Sequence, residues 1–167
     1  MMWPSIALLT FVTLQRLGEL LLARRNTAAL LARGAREVAP EHYPAMVALH
    51  AGWLIGLWLL APGRPVELLW FGVFLGLQAL RLWVLATLKE RWTTRIIILP
   101  GAPLVRSGPY RFLRHPNYAI VVGEIAALPL AFGLPFYAIG FSLLNACVLH
   151  IRMKAENAAL ESAMILK

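Results

Sequence analysis

The densest concentration of residues able to do chemistry is Leu99-Pro-Gly-Ala-Pro-Leu-Val-Arg-Ser-Gly-Pro-Tyr110, continuing as Arg-Phe-Leu-Arg114-His115-Pro116-Asn117-Tyr118. Cations, aromatic rings and backbone-fixing prolines and glycines meet here immediately ahead of a predicted helix. Tyr118 falls in the first turn of that helix, where backbone N–H groups without intrahelical partners favour an anionic ligand. The residue types alone point to an anion or cofactor site, or to an anchor for lipid headgroups. Further on, Arg152 and Glu156 are four residues apart. A helix carries them on one face, either as a binding pair or as an exposed salt bridge.

Other ionisable residues interrupt apolar stretches, where an uncompensated charge is costly. Arg16 and Glu19 share a helix face and are expected to pair, fixing helix packing. Arg81 is expected to snorkel to the cytoplasmic interface. Glu124 has no Lys or Arg within a helical turn of it. It must find a partner elsewhere or take up a proton, and it either lines a substrate cavity or hydrogen-bonds a neighbouring helix. His50 and Asn145 read as helix-packing polar residues. The single Cys147 excludes an internal disulfide and a multi-cysteine zinc site, and the four histidines lack metal-ligand spacing, so no metal is expected.

These residues have to be positioned by a membrane protein. Of 167 residues 60% are apolar, and the mean hydropathy is +0.69. A soluble domain of this size could not bury so much apolar surface. The first span is expected at about Pro4 to Ala23, the second at about Tyr43 to Ala61, and the third at about Val66 to Leu88. Pro62-Gly63-Arg64-Pro65 makes a turn, and the prolines and glycines between Lys89 and Pro116 exclude one continuous helix there. Gly133-Leu134-Pro135 divides the remaining apolar run, Asn117 to Ile151, into two pieces of about 15 residues, shorter than the roughly 20 of a full crossing. The fold class expected is therefore an all-α integral membrane protein of about five transmembrane helices, the last two a short hairpin. It forms a single domain over 1–167, with three N-terminal helices in 1–88 and the catalytic region in 89–167.

The charge of +8 is distributed as membrane topology requires. Four Lys or Arg lie between Arg24 and His42, six between Lys89 and Pro116, and three from Arg152 to Lys167, against Arg64 alone on the other side. The basic excess marks cytoplasmic loops, placing the N-terminus outside, the C-terminus in the cytoplasm and the candidate site on the cytoplasmic side. No basic patch is interleaved with aromatics as nucleic-acid binding would need. The first apolar run ends in Ala23-Arg24-Arg25 instead of a cleavage site, so it reads as a retained helix.

Gly108-Pro-Tyr110, then Arg114-His-Pro-Asn-Tyr118, then Arg152-x-x-x-Glu156 on the last helix resembles the isoprenylcysteine carboxyl methyltransferase family over about Pro100 to Leu160. Asn157 stands where that family usually has a second acid. The resemblance implies a bacterial inner-membrane enzyme that methylates a lipophilic or lipidated acceptor with S-adenosylmethionine. It assigns the cofactor to Ala102, Pro103, Leu104, Val105, Tyr110, His115, Pro116, Asn117, Tyr118 and Glu156. Arg152 would meet the acceptor, with Glu156 beside it and Glu124 a further candidate for substrate contact. The short chain, with Arg91-Trp-Thr-Thr-Arg95, is similar to bacterial relatives thought to methylate hydroxyls of long-chain alkylpyrones or alkylresorcinols. Sterol-type reductases using NADPH carry a similar Arg-His-Pro-x-Tyr region, which makes a membrane reductase the competing enzyme class. A non-enzymatic membrane scaffold would leave the 102–118 cluster unexplained.

Overall fold

The computed structural model describes residues 3–165, with side chains described as far as 159; Lys167, one of the basic residues of the tail, lies outside them. Five helices, α1 (Trp3–Ala32), α2 (Tyr43–Leu60), α3 (Leu68–Leu88), α4 (Pro116–Ala131) and α5 (Pro135–Ile165), make up the fold. Two-residue strands β1 (Arg36–Glu37) and β2 (Ile97–Ile98) pair antiparallel, Arg36 with Ile98 and Glu37 with Ile97. α1, α2, α3 and α5 are long and apolar enough to cross a membrane. α4 has 16 residues, a length of about 24 Å against an apolar bilayer core of roughly 30 Å.

Helix ends follow local sequence. Gly34 at φ 86 closes α1, with Gly34 N–H bonded to Leu31 O and Ala35 N–H to Leu30 O. Gly133 at φ 64 does the same for α4, where Leu134 N–H reaches Pro129 O, and Pro135 then starts α5. Both are helix stops that glycine permits because it lacks a Cβ. The expected break at Gly133-Leu134-Pro135 is present, but the short-hairpin expectation holds only for α4. α5 runs 31 residues, because Met153-Lys-Ala-Glu-Asn-Ala-Ala-Leu is rich in helix formers and contains no breaker. α1 likewise continues past Ala23 to Ala32. Asn26 in that extension donates to the carbonyls of Lys89 (3.1 Å) and Trp92 (2.8 Å), closing the chain just after α3.

The turns sort to opposite ends of the bundle. Gly63 N–H meets Ser5 Oγ, Glu67 N–H meets Ala131 O and Arg64 Nη1 meets Gly133 O, so the start of α1 and the α2–α3 and α4–α5 turns share one end. The basic α1–α2 and α3–α4 segments meet at the other, through the β1–β2 pair. Between the ends, Leu9, Val12, Trp53, Leu57, Phe74, Ile125, Leu128 and Phe132 form the apolar core.

A buried ion cluster joins α1, α3 and α4. The Glu124 carboxylate accepts from Arg81 Nε (2.8 Å) and Nη2, from Arg16 Nη2 (2.8 Å) and from Gln78 Nε2 (2.7 Å). Glu19 accepts from Arg16 Nη1 (2.7 Å) and Arg81 Nη1 (3.2 Å). The expected Arg16–Glu19 pair is present within a larger network. The expectation that Arg81 snorkels is corrected: it is 3% exposed and points inward, because two carboxylates on neighbouring helices solvate it better than a detour to the interface would. The cavity beside this cluster, lined by Arg16, His50, Trp53, Arg81, Val121, Glu124 and Ile125, measures about 10 Å³, room for a single water at most.

Candidate functional site

At the basic end, the first turn of α4 and the polar extension of α5 bring the motif residues together. Pro116 opens α4 and suits its first turn, where no N–H is needed. Within that first turn, the Tyr118 ring stacks against His115, with centroids 5.2 Å apart and planes 19° apart. Arg152 Nε donates to Tyr118 Oη at 2.8 Å, and that hydroxyl donates to the Glu156 carboxylate. The Arg152–Glu156 relation is thus not an exposed salt bridge: the phenol links the two, and Arg152 is 6% exposed. His115 Nε2 lies 3.3 Å from Asn157 Oδ1, so Asn157, standing at the second acid's position, holds the histidine ring.

Tyr110 sits in a short 3-10 turn, Gly108–Arg111, and packs against Ala23, Val84, Trp92 and Ile120. Burial, helped by the Glu156 carboxylate, pushes its phenol up to about 12, so it remains protonated through the neutral range. Gly108 makes the turn possible. At φ 57 it occupies the left-handed region, and a Cβ there would press on Thr87, 3.1 Å from Cγ2 and 3.3 Å from Cβ. Gly108→Ala is therefore expected to destabilise the protein by roughly 1–2 kcal/mol, from the left-handed backbone before the clash is added. Thermal unfolding in detergent checks this, and an unchanged midpoint would contradict it.

The other expected residues are placed less centrally. Ala102, Pro103, Leu104 and Val105 run through the loop after β2, with Ala102 and Val105 half-buried and Pro103 and Leu104 exposed. Pro103 O accepts from Arg91 Nη1 at 2.6 Å. No hydrogen bond or ring contact among the described residues joins these four to the Tyr118 cluster. Glu124 belongs to the ion cluster and not to this one. Asn117 is half-buried, and its Oδ1 is a buried acceptor with no hydrogen-bond partner among the described residues. An open cleft of about 410 Å³, lined by His150, Met153, Lys154, Asn157 and Ala158, runs along α5 and includes the Asn157 that meets His115.

Three groups that sequence reasoning did not single out converge on Arg152. Its Nη1 donates to Thr94 O at 2.7 Å and to Met46 Sδ at 3.2 Å, and lies 3.4 Å from His42 Nε2. Thr94 belongs to Arg91-Trp-Thr-Thr-Arg95, a segment whose side chains carry no signal of this contact. His42, which caps the start of α2, and Met46 in its first turn are four apart, the one sign of a shared face that the sequence carries.

This geometry sits within a known family. Residues 69–162 match the family model for isoprenylcysteine carboxyl methyltransferases. The chain belongs to the isoprenylcysteine carboxyl methyltransferase family. Membership makes it an integral membrane protein of a methyltransferase family, in agreement with its four long apolar helices. YpbQ of Bacillus subtilis is 36% identical over 166 residues, covering 96% of this chain and 97% of YpbQ. A Haemophilus influenzae protein is 25% identical over 159 residues, covering 87% of this chain and 88% of its own length. Both relatives are described as uncharacterized. No solved structure matches the chain. Every residue of the Tyr118, Arg152 and Glu156 cluster lies inside the family match, while His42 and Met46 lie outside it.

Proposed function

We propose that this protein is an S-adenosylmethionine-dependent O-methyltransferase acting on a lipophilic acceptor at the cytoplasmic face of a bacterial inner membrane. The observation that carries the reading is the chain Arg152–Tyr118–Glu156, preceded at Asn117 by a buried Oδ1 with no hydrogen-bond partner among the described residues. A carboxylate, stacked aromatic rings and an orphaned acceptor suit a cationic, amine-bearing cofactor. Tyr110, His115, Pro116, Asn117, Tyr118 and Glu156 would hold it, with Ala102 to Val105 supplying backbone contacts from the loop above. The cofactor's part is an electrophilic methyl on a sulfonium; moving it to an anionic oxygen cancels charge, which a water-poor site favours. Arg152 orients the acceptor and neutralises its oxygen.

The hydrogen bonds of Arg152 bear on which acceptor fits. Nε is taken by Tyr118, and the two hydrogens of Nη1 are shared among Thr94 O, Met46 Sδ and His42 Nε2. Each two-nitrogen edge of the guanidinium therefore has at least one engaged donor, and Nη2, without a hydrogen-bond partner among the described residues, remains for a ligand. A carboxylate gripped through two parallel bonds needs a free edge. A single anionic oxygen, as in a phenolate or enolate, needs only Nη2, which favours an alkylpyrone- or alkylresorcinol-type hydroxyl over an isoprenylcysteine carboxylate. Such a hydroxyl must lose its proton, and His115 or Glu156 is the group in reach of the cluster to receive it. The basic end of the bundle faces the cytoplasm by the excess of positive charge there, and both curated relatives are bacterial.

Calorimetry of S-adenosylhomocysteine and, separately, NADPH with the detergent-purified protein tests this. Saturable S-adenosylhomocysteine binding is expected, weakened about tenfold by Tyr118→Phe, which removes the hydroxyl between Arg152 and Glu156. Binding of NADPH alone would replace the methyltransferase with a reductase, and binding of neither would leave a scaffold.

A further inference from the structure

We infer that the segment between α1 and α2, outside the family match, completes the site, and that His42 is a positioning residue that fixes Arg152 through a single imidazole tautomer. The consequence for turnover rests on the methyltransferase reading; the geometry does not.

Arg152 is nearly buried, and its carboxylate neighbour is reached only through a phenol. A guanidinium so placed is held by whatever acceptors surround it, since each unmet donor in a dry site is costly. Those acceptors are Tyr118 Oη from α4 for Nε, and Thr94 O from the segment after α3, Met46 Sδ from α2 and His42 Nε2 from the turn before it, which share the two hydrogens of Nη1. The tautomer of His42 follows from its other nitrogen. Nδ1 faces Ala39 O, which can only accept, so Nδ1 carries the proton and Nε2 presents a lone pair to Arg152 Nη1. Ala39 turns its carbonyl to that position from a left-handed backbone, φ 47, that costs a non-glycine residue energy.

A clamp holds this arrangement in register. Arg95 Nη1 contacts both Glu37 oxygens, at 2.8 and 2.9 Å, and the Arg95 guanidinium lies 4.4 Å over the Tyr43 ring. Tyr43 Oη is 3.2 Å from Thr94 Oγ1, and Val38 N–H bonds Ile96 O beside the β1–β2 pair. Glu37 and Tyr43 flank His42 in the chain, while Arg95 follows Thr94. The clamp therefore ties together the two segments whose acceptors aim Arg152. No hydrogen bond or ring contact among the described residues joins the clamp to Tyr118 or Glu156, so losing it should disturb the acceptor more than the cofactor.

Two measurements on the full chain in nanodiscs test this. In protein labelled with nitrogen-15 histidine, His42 is expected to show the Nδ1–H tautomer, with an Nε2 resonance that shifts on Arg152→Met. An imidazolium, the opposite tautomer, or an Nε2 resonance indifferent to Arg152→Met would overturn the assignment, and this measurement needs no substrate. Methyl transfer from S-adenosylmethionine to pentadecylresorcinol is then compared for His42→Leu, which removes the acceptor nitrogen, and His42→Gln, whose amide oxygen replaces it. His42→Leu should lower kcat/KM roughly 10- to 100-fold, His42→Gln should restore most of it, and S-adenosylhomocysteine affinity should stay within about threefold in both. Equal losses for Leu and Gln, or cofactor affinity falling in step with turnover, would reduce His42 to a structural residue. Failure of the wild type to bind S-adenosylhomocysteine would instead sink the methyltransferase reading, leaving the tautomer result to judge the His42–Arg152 contact.

Discussion

Glu124→Ala is expected to be the most destabilising single change in the bundle, costing about 3–5 kcal/mol, the range for breaking a buried ion pair by removing one partner. The reason lies in charge counting within the cluster. Arg16 and Arg81 balance Glu19 and Glu124, all four in a region of low polarity and with Glu124 and Arg81 about 3% exposed. Removing Glu124 strands one positive charge and leaves the Gln78 amide without its acceptor. The double variant Arg81→Met/Glu124→Leu deletes one charge of each sign, so it should be more stable than Glu124→Ala despite carrying two changes. Thermal unfolding in a single detergent compares them. A Glu124→Ala midpoint equal to that of the wild type, or a double variant weaker than the single one, would show that the cluster does not act as a balanced unit. The contacts that hold Glu124 are those of helix packing, and the cavity beside it measures about 10 Å³.

The second large effect is expected at the cofactor. Glu156→Ala should weaken S-adenosylhomocysteine binding by about 100-fold, in line with the loss of a charged hydrogen-bonding partner in a partly dry site. The loss has two parts: the carboxylate itself, and the Tyr118 hydroxyl that it orients. Glu156→Gln keeps an acceptor for that hydroxyl and should fall between the wild type and Glu156→Ala. Calorimetry on variants with unaltered unfolding midpoints measures the effect. Unchanged affinity in Glu156→Ala would remove this residue from the site and leave the Tyr118–Glu156 contact as helix packing alone. A loss at Glu156 together with retained affinity in His42→Leu would separate the two sides of the cluster, one for the cofactor and one for Arg152.

Much of the outline follows from local rules. The apolar lengths define three full-length spans, Gly133-Leu134-Pro135 breaks the last apolar run into two further helices, and the order of Gly108-Pro-Tyr110, Arg114-His-Pro-Asn-Tyr118 and Arg152-x-x-x-Glu156 leads to the family. Composition, periodicity and breakers act within a few residues of chain, so they are legible in a linear string. Helix continuation is less legible. Polarity places the end of α1 at Ala23 and that of α5 near Ile151, yet both helices run on, since leaving the membrane does not stop a helix whose residues still favour it.

What the tertiary structure alone decided is where the side chains go once helices are packed. Arg81 carries no mark in the sequence that separates snorkelling from burial; the choice depends on Glu19 and Glu124 arriving from two other helices. Arg152 and Glu156 have the spacing of a salt bridge, and only the approach of α4 puts the Tyr118 hydroxyl between them. Thr94 contributes a backbone carbonyl, which no side-chain pattern encodes, and His42 meets Arg152 across 110 positions of chain. The sequence by itself determined the membrane class, the number of helices and the family, because these rest on local apolar content and short motifs. The partners of its buried charges were settled by packing, because a charge in a dry interior takes its acceptor from whichever element lies nearest in space.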